Sequence, residues 1–211
     1  MGRMAAVTIA WGDYEIYNPG VSGPLNTLSR REARQAFDML MRARPQRTEM
    51  LRCLLAANGL VLTNANTAIQ DLDDWFRANV EADPDEPGRL IPGWYSVVND
   101  IALFLGDVMI ERCPGLHWEF YTWGSKNAAY QRHVIMGFSR VPNPKYNIDI
   151  DAAVAAYGHR IVASRGSVPH HGHVRIRGVE IDIDAVATRP ERLEIETDAF
   201  RSWLKLAEGR A

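Results

Sequence analysis

The chain has 211 residues, 46% of them apolar and 24% charged, with a formal net charge of −2. These are the proportions of an ordinary soluble globular protein, long enough for one well-packed domain. They argue against a nucleic-acid binder that works through a broad basic surface, and no apolar run approaches the roughly 20 residues a membrane helix needs.

Residues 1 to 28 read as an N-terminal arm. Val7, Ile9 and Trp11 alternate, and Pro19, Gly20, Gly23 and Pro24 then mark a loop. The start, MGRMAAVTIAWGDYE, is too short and too polar for a signal peptide, so a cytoplasmic setting is expected. Ser29 and Glu32 form a capping box, in which each side chain satisfies a free backbone donor at a helix start. Ala33, Ala36, Phe37 and Leu40 supply the buried stripe of that helix. Pro45 predicts a break and the opening of a second helix, carried on by Met50, Leu51, Leu54 and Leu55 as far as Asn58 and Gly59.

Thr67 and Gln70 make another candidate capping box, before Ile69, Leu72, Trp75, Phe76 and Val80 at helical spacing. The acidic, proline-containing stretch up to Gly88 reads as a solvated loop. From Trp94 the apolar residues Val97, Val98, Ile101, Leu105, Val108 and Met109 recur at three- and four-residue intervals, and Leu103 and Phe104 add apolar surface on the other side. A helix apolar on nearly all sides is central and covered by its neighbours. Cys113, Pro114 and Gly115 end it. The two cysteines, Cys53 and Cys113, both lie in apolar helical patterns and read as reduced, buried residues.

The period then changes to two. Leu116 to Trp123 predicts a strand with Leu116, Trp118 and Phe120 on one face and His117, Glu119, Tyr121 and Trp123 on the other. His133 to Ser139 predicts its partner. Pro142 and Pro144 hold an extended connector, and Asp149 or Asp151 caps a helix packing through Val154, Ala155, Gly158, Ile161 and Val162.

Beyond Gly166 the apolar parity flips across Arg177 and Gly178, which predicts a tight hairpin pairing Ile176 with Val179 and Val174 with Ile181. Thr197 is a candidate cap for a last helix with Phe200, Trp203, Leu204 and Ala207. The expected fold is α+β, a single domain over 1–211. A helix-rich N-terminal half packs on a small antiparallel sheet, with a core over 29–165 and a C-terminal β-hairpin and helix over 166–211.

SRREARQAFDMLMRARPQRTEMLRCLLAANGL, WYSVVNDIALFLGDVMIERCPGLHWEF and RHVIMGF together resemble a family of uncharacterised bacterial proteins, domains of unknown function, over residues 29 to 163. The LGD passage running into GLHWEF is also similar to small bacterial domains that include toxin-immunity proteins. The resemblance implies an α+β fold, a bacterial cytosolic setting and a protein partner, and it brings no catalytic residues.

No phosphate-binding glycine loop, nucleophile elbow, HExxH or CxxC occurs in the chain. His170, His171 and His173 lie close enough to share a metal, yet Pro169 and Gly172 beside them equally suit an exposed turn, and no cofactor is expected. Asp100, Asp107 and Glu111 fall on one line along the central helix, the last two within about 20° of Asp100 on either side. Carboxylates so placed are hydrated, paired with a base such as Lys126, Arg132, Lys145 or Arg160, or shifted in pKa.

The face formed by His117, Glu119, Tyr121 and Trp123, with His133 nearby, has the composition of a recognition surface. It equally suits the inside of the fold, covered by the arm. The leading expectation is a non-enzymatic protein that binds a protein partner through this face. The alternative is a small-ligand binder or unrecognised enzyme using Asp107, Glu111 and His133. Nucleic-acid binding through Arg175 and Arg177 is disfavoured by the charge. The C-terminal hairpin offers an edge for a homodimer.

Overall fold

The computed structural model of the chain describes residues 9–21, 23–86, 88–166, 173–176, 179–182 and 195–211. Its architecture is α+β and rich in helix. After a short 3-10 turn at Leu25–Thr27 come α1 (Arg30–Ala57), α2 (Asn66–Asn79), α3 (Pro92–Arg112), β1 (His117–Phe120), β2 (His133–Met136), α4 (Ile150–Gly166), β3 (His173–Ile176), β4 (Val179–Asp182) and α5 (Ala199–Arg210).

Helix α3 is the axis of the molecule, packed against α1, α4 and α5. Its N-terminal turn starts with Pro92, whose missing N–H costs nothing at that position. Trp94 is fully buried in a ring of aromatics, with Trp11, Trp75 and Phe76 at centroid distances of 5.7, 5.5 and 5.7 Å. At the other end Gly106 makes room for the Trp118 indole, which occupies the space a β-carbon would need.

The chain departs from the sequence expectation at several boundaries. Pro45 breaks nothing: α1 is one helix of 28 residues running through it. Ala33, Ala36 and Leu40 before the proline and Leu51, Leu54 and Leu55 after it are all buried, so packing of both halves outweighs the hydrogen bond the proline cannot donate. One consequence is that Cys53 falls on the solvent face, whereas Cys113 is buried. Ser29 and Glu32 do form a capping box. Thr67 and Gln70 do not, because α2 starts two residues earlier, with Ala65 as N-cap and no side-chain cap bond. The last helix is capped in position by Asp198 rather than Thr197.

Strands β1 and β2 pair antiparallel, with His117 opposite Met136, Trp118 opposite Ile135, Glu119 opposite Val134 and Phe120 opposite His133. Both are shorter than the alternation predicts. β2 ends before Gly137, whose φ of 101° only glycine adopts readily, and which lies against the Gly115 carbonyl. Ile135 also exchanges backbone bonds of 2.9 and 3.0 Å with Ile148, which brings the start of α4 alongside β2. Strands β3 and β4 pair antiparallel with Ile176 opposite Val179 and His173 opposite Asp182. The turn at Arg177 and Gly178, and the candidate metal residues His170 and His171, lie outside the described residues, as does Val7.

Candidate functional site

The N-terminal arm runs across α3 and is fastened there by polar groups. Arg47, two residues past Pro45 on α1, and Asp100 on α3 form a buried ion pair, with Nε and Nη2 of the guanidinium donating to the two carboxylate oxygens at 2.8 and 2.6 Å. The Tyr14 hydroxyl donates to the same carboxylate at 2.5 Å. Arg47 Nη1 donates to the Glu15 carbonyl at 2.8 Å, and the Tyr17 N–H donates to Ser96 Oγ at 2.8 Å. Burial pushes the Asp100 carboxyl up, while the bonds from Arg47 and Tyr14 oppose it. Burial, and then the Asp100 charge, raise the Tyr14 phenol, which stays a donor.

Beyond Tyr17 the arm rises away from α3 and encloses a cleft of about 460 Å³. One wall is α1, through Ala36, Phe37 and Leu40, and another is the first turns of α3, through Tyr95 and Asn99. The roof is formed by arm residues that include Ile16, Tyr17, Val21 and Leu25, and the floor is the start of β2 with Asp151 and Ala155 of α4. Gln131 secures the roof, because its side-chain N–H groups donate to the carbonyls of Leu25 and Leu28 at 2.8 and 3.0 Å. It does so from a left-handed backbone conformation, φ 63°, that a glutamine rarely takes.

The polar groups of this cleft differ from those under the arm. His133 is 6% exposed and lines the cleft, and its Nε2 is buried without a hydrogen-bond partner. The Tyr17 hydroxyl is likewise buried and unpartnered. Burial pushes the His133 imidazole below its ordinary pKa, so it is neutral at neutral pH. Next to it Arg132 is shared by Asp149 and Asp151, the latter at 2.7 Å. An apolar cavity of this size with a few convergent polar groups is what a small-molecule site requires.

The residues singled out from sequence end up in four places. Asp107 is half-exposed, accepts from Trp118 Nε1 at 2.9 Å and pairs with Arg44 at 3.0 Å; burial pushes its carboxyl up. Glu111 is exposed and accepts from Asn64 at 2.7 Å. The carboxylate line of α3 is thus divided, Asp100 to Arg47 and Tyr14, Asp107 to Arg44 and Trp118, and Glu111 to Asn64, and its bases are Arg47 and Arg44 of α1 rather than Lys126, Arg132, Lys145 or Arg160. Neither Asp107 nor Glu111 lines the cleft, and of the proposed trio only His133 does.

The expected recognition face is also divided. His117 and Glu119 lie at the surface, 3.8 Å apart, and the strand ends at Phe120. Tyr121 still bonds the partner strand's continuation, its N–H donating to the Arg132 carbonyl at 3.0 Å, and it is buried with Ala129, Val134 and Met136 in a small cluster of its own. Trp123 is 52% exposed, with the Lys145 ammonium 5.0 Å from its ring centroid. His133 faces the other way, opposite Phe120. Among the described residues no group of three metal-ligating side chains is found, and no helix is long and apolar enough to cross a membrane. No protein-family model, curated protein or solved structure matches the chain.

Proposed function

We infer that the protein binds a small, largely apolar molecule in the cleft between the arm, α1, α3 and β2. The observation that carries this is the pairing of an apolar cavity of about 460 Å³ with His133 and Tyr17, whose buried polar atoms have no partner. A buried donor or acceptor left unpaired costs roughly 1 to 3 kcal/mol. Two such atoms around one cavity support a site whose hydrogen bonds are completed from outside the chain, directly or after a small shift of the arm. A residue at a left-handed φ, Gln131, borders the same cavity, as strained residues often do at binding sites.

The test is thermal denaturation with naphthylmethanol, a neutral apolar probe. Binding to the native state raises the melting temperature by mass action, so the shift grows with ligand and follows a single-site curve. Ala155→Trp fills the cleft from α4 and removes the shift. Absence of any shift at millimolar probe, or an equal shift in Ala155→Trp, overturns the reading.

A protein partner at the surface is a second reading, and one observation favours it: the exposed Trp123 ring beside Lys145. Trp123→Ala then abolishes partner capture and leaves naphthylmethanol binding unchanged. The resemblance to bacterial interaction domains, with a cytoplasmic setting, belongs to this reading.

A further inference from the structure

The cleft is asymmetric in charge, and that asymmetry restricts what it holds. The side chains lining it include one base, Arg132, and one acid, Asp151. The Arg132 guanidinium is committed twice, to Asp149 through Nε and to Asp151 through Nη2 at 2.7 Å. Two carboxylates against one guanidinium leave an excess of one negative charge. These groups are well covered, with side-chain exposures of 26%, 14% and 19% for Arg132, Asp149 and Asp151, so solvent screens that excess incompletely.

No lining residue supplies a cation to balance it. Arg47, behind Ser96 and Tyr17, is spent on Asp100. His133 is enclosed and neutral, so it offers an anion one N–H but no positive charge. The N-terminus of α4 would by itself attract an anion, but a carboxylate already sits there: Asp149 accepts from the Ala152 N–H at 2.9 Å. One oxygen of Asp151 takes the Arg132 bond, and the other makes no hydrogen bond among the described residues. The rings of Tyr17, Phe37 and Tyr95 border the same space, and aromatic faces attract cations.

We propose that the occupant of the cleft is an apolar amine in its protonated form, whose ammonium group sits at the Asp151 end and whose hydrocarbon body lies against Phe37 and Leu40. The Asp151 oxygen not bonded to Arg132 accepts from the ammonium. Carboxylic acids and phosphate esters of the same shape are rejected, because they bring a second negative charge to a covered site with no free base.

This proposal rests on the cleft being the binding site, and the experiment separates the two. Naphthylmethylamine, naphthylmethanol and naphthoate share one apolar body and differ in a single head group. Each is titrated into the full chain at neutral pH by calorimetry. The expected result is an amine at least about tenfold tighter than the alcohol, with naphthoate weakest, and loss of the amine's advantage in Asp151→Asn. Naphthoate or the alcohol binding as tightly as the amine overturns the charge assignment and leaves the cleft reading standing. Failure of all three to bind overturns both. An amine preference that Asp151→Asn leaves intact also overturns the assignment. The wild-type comparison of three head groups decides even if the variant does not fold.

Discussion

Two buried polar clusters lie beneath the same arm, and they are built in opposite ways. Around Asp100 every group is met: Arg47, Tyr14 and Ser96 join two helices and the arm in one closed set of bonds. Along the cleft the bonds stop short: His133 Nε2 on β2 and the Tyr17 hydroxyl on the arm have no partner. The same residue types and similar burial thus give one cluster that is complete within the chain and one that is not. Thr48, Arg77 and Trp94 also carry a buried atom without a partner, but only His133 and Tyr17 do so beside the cleft.

The strongest way to break this comparison is to open the closed cluster. Arg47→Met leaves Asp100 charged and unpaired, and such a loss costs about 3 to 5 kcal/mol. Urea denaturation should show it as a lower midpoint with little change in slope. A cost under about 1 kcal/mol would make the Asp100 cluster dispensable and remove the contrast.

A second closed cluster predicts the next largest effect. Asp73 on α2 accepts from the Tyr157 hydroxyl at 2.8 Å and the Phe200 N–H at 3.1 Å, and so ties α4 and α5 to α2. Asp73→Ala should cost about 2 to 3 kcal/mol and increase amide exchange in α5 before it does so in α3.

The open cluster should behave the other way. His133→Phe removes a buried atom without a partner, so stability should be unchanged or rise by about 1 kcal/mol, while binding of naphthylmethanol weakens. A loss of stability as large as that of Arg47→Met would place His133 among the structural residues.

The smallest effect is on pH dependence. Burial lowers the folded-state pKa of His133, with Asp151 and Asp149 opposing and Arg132 assisting. Between that lowered value and the ordinary value of about 6.5 the unfolded chain binds more protons than the folded one. The stability is therefore present above about 6.5 and is lost as the pH falls, by at most about 1.4 kcal/mol per unit. Parallel denaturation of wild type and His133→Phe should show a shallower acid slope in the variant.

Much of the fold was legible because it depends on patterns of local spacing. The all-round apolar character of residues 94 to 109 marked the central helix, and the change to a period of two marked β1. Ser29 and Glu32 fixed a helix start from a contact three residues apart. Pro45 misled because its cost is local and its compensation, packing along both halves of α1, is not. The cleft was harder to see. Tyr17, Tyr95, Gln131 and Asp151 are far apart in the chain, and nothing in their spacing relates them. Of the candidate residues only His133 belongs to the cleft. Alternation put Tyr121 on the face of His117, Glu119 and Trp123 but could not tell which part of that face is covered, and Val134, Met136 and Ala129 bury Tyr121 alone of the four.

The fastening of the arm has a consequence in time. Its residues are made before the groups that hold it: Ser96 is 79 residues beyond Tyr17, and Gln131 is 106 beyond Leu25. At about 5 to 20 residues per second, the emerging arm waits on the order of 5 to 20 s for its last anchor to be synthesised. Over that interval Ile9, Trp11 and Tyr14 have no core to enter. The cleft, covered by this arm, cannot close until Gln131 and the start of α4 have been made.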